Sequence, residues 1–249
     1  IHAAEAGWMT LPTLSSFVAA TVLFAAFIKI ENRHPEPLLK LDLLRNRPRL
    51  AGLVVMALIV GMHFSMLFML AQYLQRVLGL SPLMAGLAYV PLTATVFVIT
   101  HFVPSLVTRF GTRTLLVAGS FVVGLSLALF ATLDENSRYA HGVLLPLLIH
   151  AVGIALVFAP GTMAIMHAVP AQDAGSASGL LQMDQQIGGA LGIAIVATIY
   201  AIGAQPGKVI AGMPQAYLGA AAFAVLAAFV ALGCAGRVET GPGANECDD

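Results

Sequence analysis

Charged residues are scarce in this sequence. Asp, Glu, Lys and Arg together make up only 10% of its 249 residues, and the formal net charge at pH 7 is zero. Soluble domains carry about 25% charged residues, which keep their surfaces in water. Apolar residues account for 59% of this chain. This composition excludes a soluble globular domain, and the missing basic excess excludes a nucleic-acid-binding protein. The expected partner is a lipid bilayer.

Cysteine is almost absent too. Cys234 and Cys247 are too few for a disulfide framework, and they lack the spacing of a zinc site. The sequence also has no H-E-x-x-H motif and no serine or cysteine nucleophile motif. We therefore expect no metal site and no cofactor, and we consider a membrane-embedded enzyme a poor alternative.

Long uncharged runs are what the sequence does have. An α-helix needs about 20 apolar residues to cross the hydrocarbon core of a bilayer, and lipid offers no hydrogen-bond partners to an open strand edge. The sequence therefore predicts an all-α integral membrane protein with seven transmembrane helices. The predicted spans are residues 11–28, 50–73, 82–104, 114–133, 143–166, 175–201 and 215–236.

The spans suggest four parts. Residues 1–30 hold the first helix, and residues 31–49, with two prolines and mixed charges, form a cytoplasmic linker. Residues 50–236 form a six-helix bundle of two triplets with opposite orientation, as in inverted-repeat transporters. Residues 237–249 are too polar to order themselves and predict a disordered tail. The start at Ile1, without a basic signal segment, suggests missing upstream sequence.

Basic residues predict the orientation in the membrane, because Lys and Arg in short loops favour the cytoplasmic side. One set of loops contains nine of them and the opposite set three. We therefore expect a multi-pass protein of the cell membrane with a cytoplasmic C-terminus. The nine are Lys29, Arg33, Lys40, Arg45, Arg47, Arg49, Arg109, Arg113 and Arg237, and the three are Arg76, Arg138 and Lys208.

The sixth predicted span is rich in small and polar residues. Small residues allow close helix approach, and polar groups in a span usually face the bundle interior or a watery cavity. The glutamines can equally be structural and bond neighbouring helices. The substrate-cavity candidates are Ser178, Gln182, Gln185 and Gln186, and the helix-packing candidates are Gly175, Gly179, Gly188, Gly189 and Gly192.

Three ionisable residues are candidates for proton coupling. Asp184 is the only carboxylate within a predicted span, and an ionised carboxylate near the bilayer midplane is costly. It lies on the helix face opposite the glutamines, and a permanently protonated structural Asp is the alternative. His63 and His150 lie near mid-depth, where an imidazole titrates near physiological pH. A lone histidine bonded to a backbone carbonyl is the plainer interpretation of each.

Two further expectations concern helix ends and helix exposure. Arg109, Gly111 and Arg113 lie in a tight cytoplasmic turn, where Gly111 can supply a positive φ and the arginines can bond helix ends or act only as topology signals. The fourth and seventh spans are almost purely apolar. We therefore expect these two helices to be the outer, lipid-facing ones.

Three stretches resemble a known family. They are residues 34–39 (HPEPLL) with the following Arg45 and Arg47, residues 73–82 (YLQRVLGLSP), and residues 175–181 (GSASGLL) with 185–194 (QQIGGALGIA). The chain resembles the C-terminal half of the fourteen-helix drug:proton antiporter branch of the major facilitator superfamily.

The resemblance implies that the first span is the eighth of fourteen. It also implies a missing N-terminal half, amphipathic drugs, antibiotics or metabolites as substrates, and the proton gradient as the energy source. The family's cytoplasmic loop motif is degenerate here, because Pro104 and Thr108 stand where its Gly and Asp would fall. A non-transporting membrane scaffold or partner-binding subunit fits the helix count equally well, but it leaves Asp184 and His63 unexplained.

Overall fold

The computed structural model describes residues 10–31, 47–167, 169–205 and 208–234. These residues form helices joined by short connections, and no β-strand occurs among them. Short π-type turns, Tyr73–Val77 and Tyr139–Val143, follow α2 and precede α6. The helices are α1 Leu11–Glu31, α2 Arg47–Gln72, α3 Pro82–Leu87, α4 Val90–Phe110, α5 Thr112–Phe130, α6 Leu144–Met166, α7 Ala174–Gly203 and α8 Met213–Cys234.

Seven helical segments in the described ranges are long and apolar enough to cross a membrane. This confirms the predicted fold class and the seven spans. The third span is made of two helices, α3 and α4, which are separated at Ala88 and Tyr89. Pro91 occupies the first turn of α4, where its missing N–H costs nothing. Much of the predicted linker (32–46) and all of the predicted tail (237–249) lie outside the described residues.

The bundle is built around α2. This helix packs against α6, α7 and α8, while α5 packs between α6 and α8, and α4 packs against α6. Of the most apolar 18-residue stretch of each span, 61% is buried within the chain in the second span and 6% in the first. The core therefore lies among α2, α5, α6, α7 and α8, and α1 contributes little to it.

The fourth and seventh spans are not the most exposed helices of the bundle, contrary to our expectation. About half of the most apolar stretch of each of these two spans is buried, compared with 28% for the sixth span and 11% for the third. The physical reason is close packing through small residues. Gly119 of α5 lies against Gly153 and Val157 of α6, and Gly124 lies against Ala221 of α8. Side chains on α3, α4 and α7 are left uncovered instead.

Arginines tie the bundle together at the end where α2 begins. The buried Arg49 donates from Nε to the carbonyl of Ile165 at 2.9 Å and from Nη2 to the carbonyl of His167 at 3.0 Å. Arg113 donates to the carbonyl of Leu232. These bonds satisfy carbonyl groups at the C-terminal ends of α6 and α8, which have no partner inside their own helices.

Tyrosines tie the bundle at the opposite end. The hydroxyl of Tyr73 lies 3.0 Å from the carbonyl of Asp134 and 2.9 Å from that of Ser137, in the α5–α6 connection. The hydroxyl of Tyr139 donates to the carbonyl of Ala88 at 2.7 Å, beside the break between α3 and α4. Each bond satisfies a carbonyl outside regular helix. The two ends of the bundle are therefore held by different side chains.

Candidate functional site

His63 of α2 and His150 of α6 form a hydrogen-bonded pair. Nδ1 of His63 lies 3.0 Å from Nε2 of His150, and the rings are almost parallel, with an interplanar angle of 14° and centroids 5.3 Å apart. His150 is fully buried and His63 is partly exposed. The sequence identified the two histidines separately as proton-coupling candidates. The structure brings them together, because α2 packs directly on α6.

Ser126 of α5 extends this pair. Its Oγ lies 2.9 Å from Nδ1 of His150 and 2.7 Å from the carbonyl oxygen of Val123. Ser126 and His150 are both completely buried. Both nitrogens of His150 are therefore engaged, as a buried imidazole requires. The result is a continuous chain of polar groups from Ser126 through His150 to His63.

The chain of polar groups ends at a cavity between α2, α4 and α6. Its volume is about 280 Å³, close to the lower limit for small-molecule sites. Most of its wall is apolar, which suits an amphipathic or aromatic molecule. Its lining residues are His63, Leu92, Thr93, Val96, Thr100, Ile154, Ala155, Phe158 and Ala159.

Asp184, the third proton-coupling candidate, lies apart from this cavity. It is on α7, is partly exposed, and is not among the residues that line the cavity. Its Oδ2 is buried and has no hydrogen-bond partner among the described residues. An unpaired carboxylate oxygen in such surroundings disfavours the ionised form. The structure therefore leaves Asp184 as a separate candidate.

The polar candidates on α7 also lie outside the cavity. Ser178, Gln182 and Gln186 are exposed, and Gln185 is partly exposed. The hydroxyl of Ser178 donates to the carbonyl of Ala174, one turn earlier in the same helix. These side chains line the uncovered side of α7. Their assignment to a substrate cavity stays a prediction.

The glycines of α7 fall into two groups. A Cβ on Gly188 would meet the backbone of Ala57, and Gly192 lies against the backbone of Gly61. Gly189 lies under the ring of Phe64. By contrast, a Cβ on Gly175 or Gly179 would meet nothing within 4 Å among the described residues. The packing role of Gly175 and Gly179 therefore stays a prediction, because no described residue lies against them.

The loop motif residues have distinct surroundings. Gly111 adopts φ +79° between α4 and α5, the positive φ predicted for it. The guanidinium of Arg109 lies over the ring of Phe110, 5.3 Å from its centroid. Arg113 bonds the end of α8, as described above. The turn thus connects two spans to the C-terminal end of a third.

Ser126 is the residue that sequence reasoning missed. It lies on a span that was judged almost purely apolar, and its contact with His150 joins positions 24 residues apart. The only available signal was a serine in a nearly apolar span, and Ser120 of the same span gives that signal too. Thr100 and Phe158 of the cavity wall were not predicted as site residues either, because common residues gain this role only from packing. No cluster of three or more metal-ligating side chains occurs in the described ranges.

Comparison with known proteins identifies the class. Residues 3–193 match the Major Facilitator Superfamily. The chain is 36% identical over 201 residues to the tetracenomycin C resistance and export protein of Streptomyces glaucescens, covering 81% of this chain and 37% of that protein. It is 31% identical over 201 residues to the multidrug resistance protein Stp of Mycobacterium tuberculosis, with the same two shares.

A third relative agrees with these two. The chain is 34% identical over 186 residues to the lincomycin resistance protein of Streptomyces lincolnensis, covering 75% of this chain and 38% of that protein. The seven-span helical fold and these matches place the chain in a family of membrane transporters. The chain belongs to the Major Facilitator Superfamily. It spans less than half the length of these curated relatives.

Proposed function

We propose that this chain is the C-terminal half of a proton-coupled exporter of amphipathic small molecules. In this proposal the C-terminus is cytoplasmic and the cell membrane is the site of action. The observation that carries the proposal is the His63–His150 pair, which lies inside two membrane spans at the edge of a cavity. Polar groups are expensive in a membrane interior and usually mark ion or substrate pathways. An imidazole can take and release a proton near neutral pH.

The proton gradient supplies enough energy for this work. One charge that crosses 100 mV releases about 2.3 kcal/mol. The substrate class is supported by two observations. The cavity wall is mainly apolar with a few polar groups, and relatives are named for resistance to or export of antibiotics. Amphipathic compounds need this mixture of surfaces.

The uncovered helices support an N-terminal half as the partner. Only 11% of the third span's apolar window is buried, and Phe97 on α4 is 80% exposed. On α7, Gly175, Gly179 and Gln182 are exposed, and a Cβ on either glycine would meet nothing within 4 Å among the described residues. A second bundle packed against α4 and α7 would cover these residues and would close the cavity. The relatives are long enough to contain such a bundle.

The test uses the full-length transporter in inverted membrane vesicles of a drug-susceptible bacterium. Respiration energises the vesicles, and accumulation of a fluorescent amphipathic cation is followed with and without an uncoupler. We expect uncoupler-sensitive accumulation that His63→Gln abolishes. The matched control is His141→Gln, which changes an exposed histidine that lies outside the cavity and outside α4 and α7, the helices that the second bundle would cover. Accumulation that persists with an uncoupler, or in His63→Gln vesicles, would overturn the proposal.

Asp184 is tested by its own substitution. Asp184→Asn keeps the size of the side chain but removes its ability to carry a proton. If Asp184 carries a coupling proton, the susceptibility of cells that express the variant returns to that of cells without the transporter. Unchanged resistance removes Asp184 from the mechanism and leaves the histidine pair as the proton site. Labelling of a C-terminal tag only after cell lysis would support the proposed orientation.

A further inference from the structure

Ser126 makes two hydrogen bonds but has one proton to donate. Its Oγ lies 2.7 Å from the carbonyl oxygen of Val123 and 2.9 Å from Nδ1 of His150. A carbonyl oxygen only accepts, so the hydroxyl proton is directed to Val123. Ser126 Oγ must therefore accept from Nδ1–H of His150. In its neutral form His150 carries its proton on Nδ1, and its Nε2 is a lone-pair acceptor.

The same reasoning determines the tautomer of His63. Because Nε2 of His150 accepts, Nδ1 of His63 must donate across the 3.0 Å contact. In the neutral pair this leaves Nε2 of His63 without a proton. Among the described residues Nε2 has no hydrogen-bond partner, and the His63 side chain lines the cavity. The buried Ser126 thus determines, through the rings of His150 and His63, that Nε2 of His63 is a hydrogen-bond acceptor at the cavity.

We infer that the cavity binds molecules that donate a hydrogen bond to Nε2 of His63. Ser126 is the positioning residue that selects the His63 tautomer with an unprotonated Nε2. The rest of the wall is mostly apolar, with side chains such as Leu92, Val96, Ile154 and Phe158. The ligand class is therefore a compact apolar ring system with one hydroxyl or amino group. The inference rests on the proposed function in one respect only, namely that such ligands are substrates for export.

Binding to the full-length transporter in lipid nanodiscs tests the inference. The probes are 2-naphthol, which has one donor, and 2-methoxynaphthalene, in which a methyl group replaces the donated proton. We expect the naphthol to bind about fivefold or more tightly than the ether, because one net hydrogen bond is at stake. Equal affinities, or tighter binding of the ether, would overturn the inference.

Variants of α5 separate positioning from general packing. Ser126→Ala removes the acceptor for Nδ1–H of His150, so the proton can move to Nε2 and the preference for naphthol should disappear or reverse. Ser126→Thr retains the hydroxyl and should restore the preference. Ser120→Ala is the matched control, because Ser120 is also fully buried and donates to a carbonyl of its own helix, that of Leu116. A preference that survives in Ser126→Ala contradicts the positioning role.

A spectroscopic measurement keeps the inference testable if Ser126→Ala does not fold. In ¹⁵N-histidine-labelled wild-type protein, both residues should show a protonated Nδ1 and an unprotonated Nε2. Loss of single signals in His63→Gln and His150→Gln provides the assignments. A protonated Nε2 on neutral His63 would overturn the inference. If export fails while the naphthol preference and the tautomers are as expected, the proposed function is wrong and the binding inference stands.

Discussion

Gly61 of α2 and Gly188 of α7 meet backbone to backbone. A Cβ on Gly61 would stand only 2.6 Å from the carbonyl oxygen of Gly188, well inside van der Waals contact. Small residues permit such an approach between membrane helices. Gly61 is two residues before His63, and Gly188 is one turn after Asp184. The contact therefore sets the spacing of α2 and α7, two of the three helices that carry proton-coupling candidates.

This contact predicts a large difference between two glycines of the bundle. Gly188→Ala should destabilise the bundle by about 1–3 kcal/mol, because the added methyl would press on the backbone of Ala57. Gly233→Ala near the end of α8 is the control, since a Cβ there would meet nothing within 4 Å among the described residues and the second bundle is not proposed to cover α8. Thermal unfolding of the purified full-length protein in detergent measures both. Equal melting temperatures for the two variants would contradict the observed helix contact.

Ser126 should matter more for stability than Ser120. Ser126→Ala leaves Nδ1 of the fully buried His150 without an acceptor, which costs about 1–3 kcal/mol. Ser120→Ala loses only a bond to the carbonyl of Leu116, which also lies within the helix ladder. We expect a clearly lower melting temperature for Ser126→Ala alone. A loss in Ser120→Ala as large as that in Ser126→Ala would show that packing, and not His150, accounts for the effect.

Substitution of Arg49, which caps α6, should lower stability more than substitution of Arg109 in the loop motif. Arg49→Gln removes a buried charge-assisted donor to the carbonyls of Ile165 and His167, so we expect a loss of about 1.5–3 kcal/mol. Arg109→Gln changes an exposed residue over Phe110 and should alter stability by less than about 1 kcal/mol. Denaturation monitored by tryptophan or dye fluorescence compares them. Similar losses would argue against Arg49 as the cap of α6.

Removal of the hydroxyl group should have different effects on stability at two buried tyrosines, Tyr73 and Tyr217. Tyr73→Phe removes the hydroxyl that bonds the carbonyls of Asp134 and Ser137, and should destabilise the protein by about 1 kcal/mol. The hydroxyl of Tyr217 is buried and has no partner among the described residues. Tyr217→Phe should therefore leave stability unchanged or increase it. A destabilised Tyr217→Phe variant would reveal a bond to that hydroxyl.

The α5–α6 loop has a predictable pH response. The side-chain hydrogen bond from Ser137, at 2.7 Å, is the main reason that the pKa of Asp134 lies below its ordinary value, and the backbone N–H of Asn136 adds to the effect. A lowered folded-state pKa means that the stabilisation is present above the unfolded-state pKa and is lost as pH falls through the folded-state value. Ser137→Ala should raise the pKa, as carboxyl NMR titration measures. An unchanged titration would contradict the hydrogen bond.

The transmembrane architecture was readable from local patterns. Each span satisfies its own backbone hydrogen bonds and faces lipid or other apolar groups, so its length and hydropathy identify it without knowledge of its neighbours. The positive φ of Gly111 was readable for the same reason, since it is a property of the local chain. The close approach of Gly188 and Gly192 followed a known small-residue pattern, whereas the open surroundings of Gly175 and Gly179 show that the pattern does not identify the partner.

The site depended on tertiary structure. From the sequence alone, composition and the spacing of uncharged runs determined that this is a seven-span helical membrane protein with histidines and one carboxylate inside its spans. Only packing decided that His63 meets His150, that Ser126 of a third helix bonds the pair, and that Asp184 stays apart. The physical reason is that hydrogen bonds act over about 3 Å between helices whose relative rotation is decided by many apolar contacts, and no local pattern records that rotation.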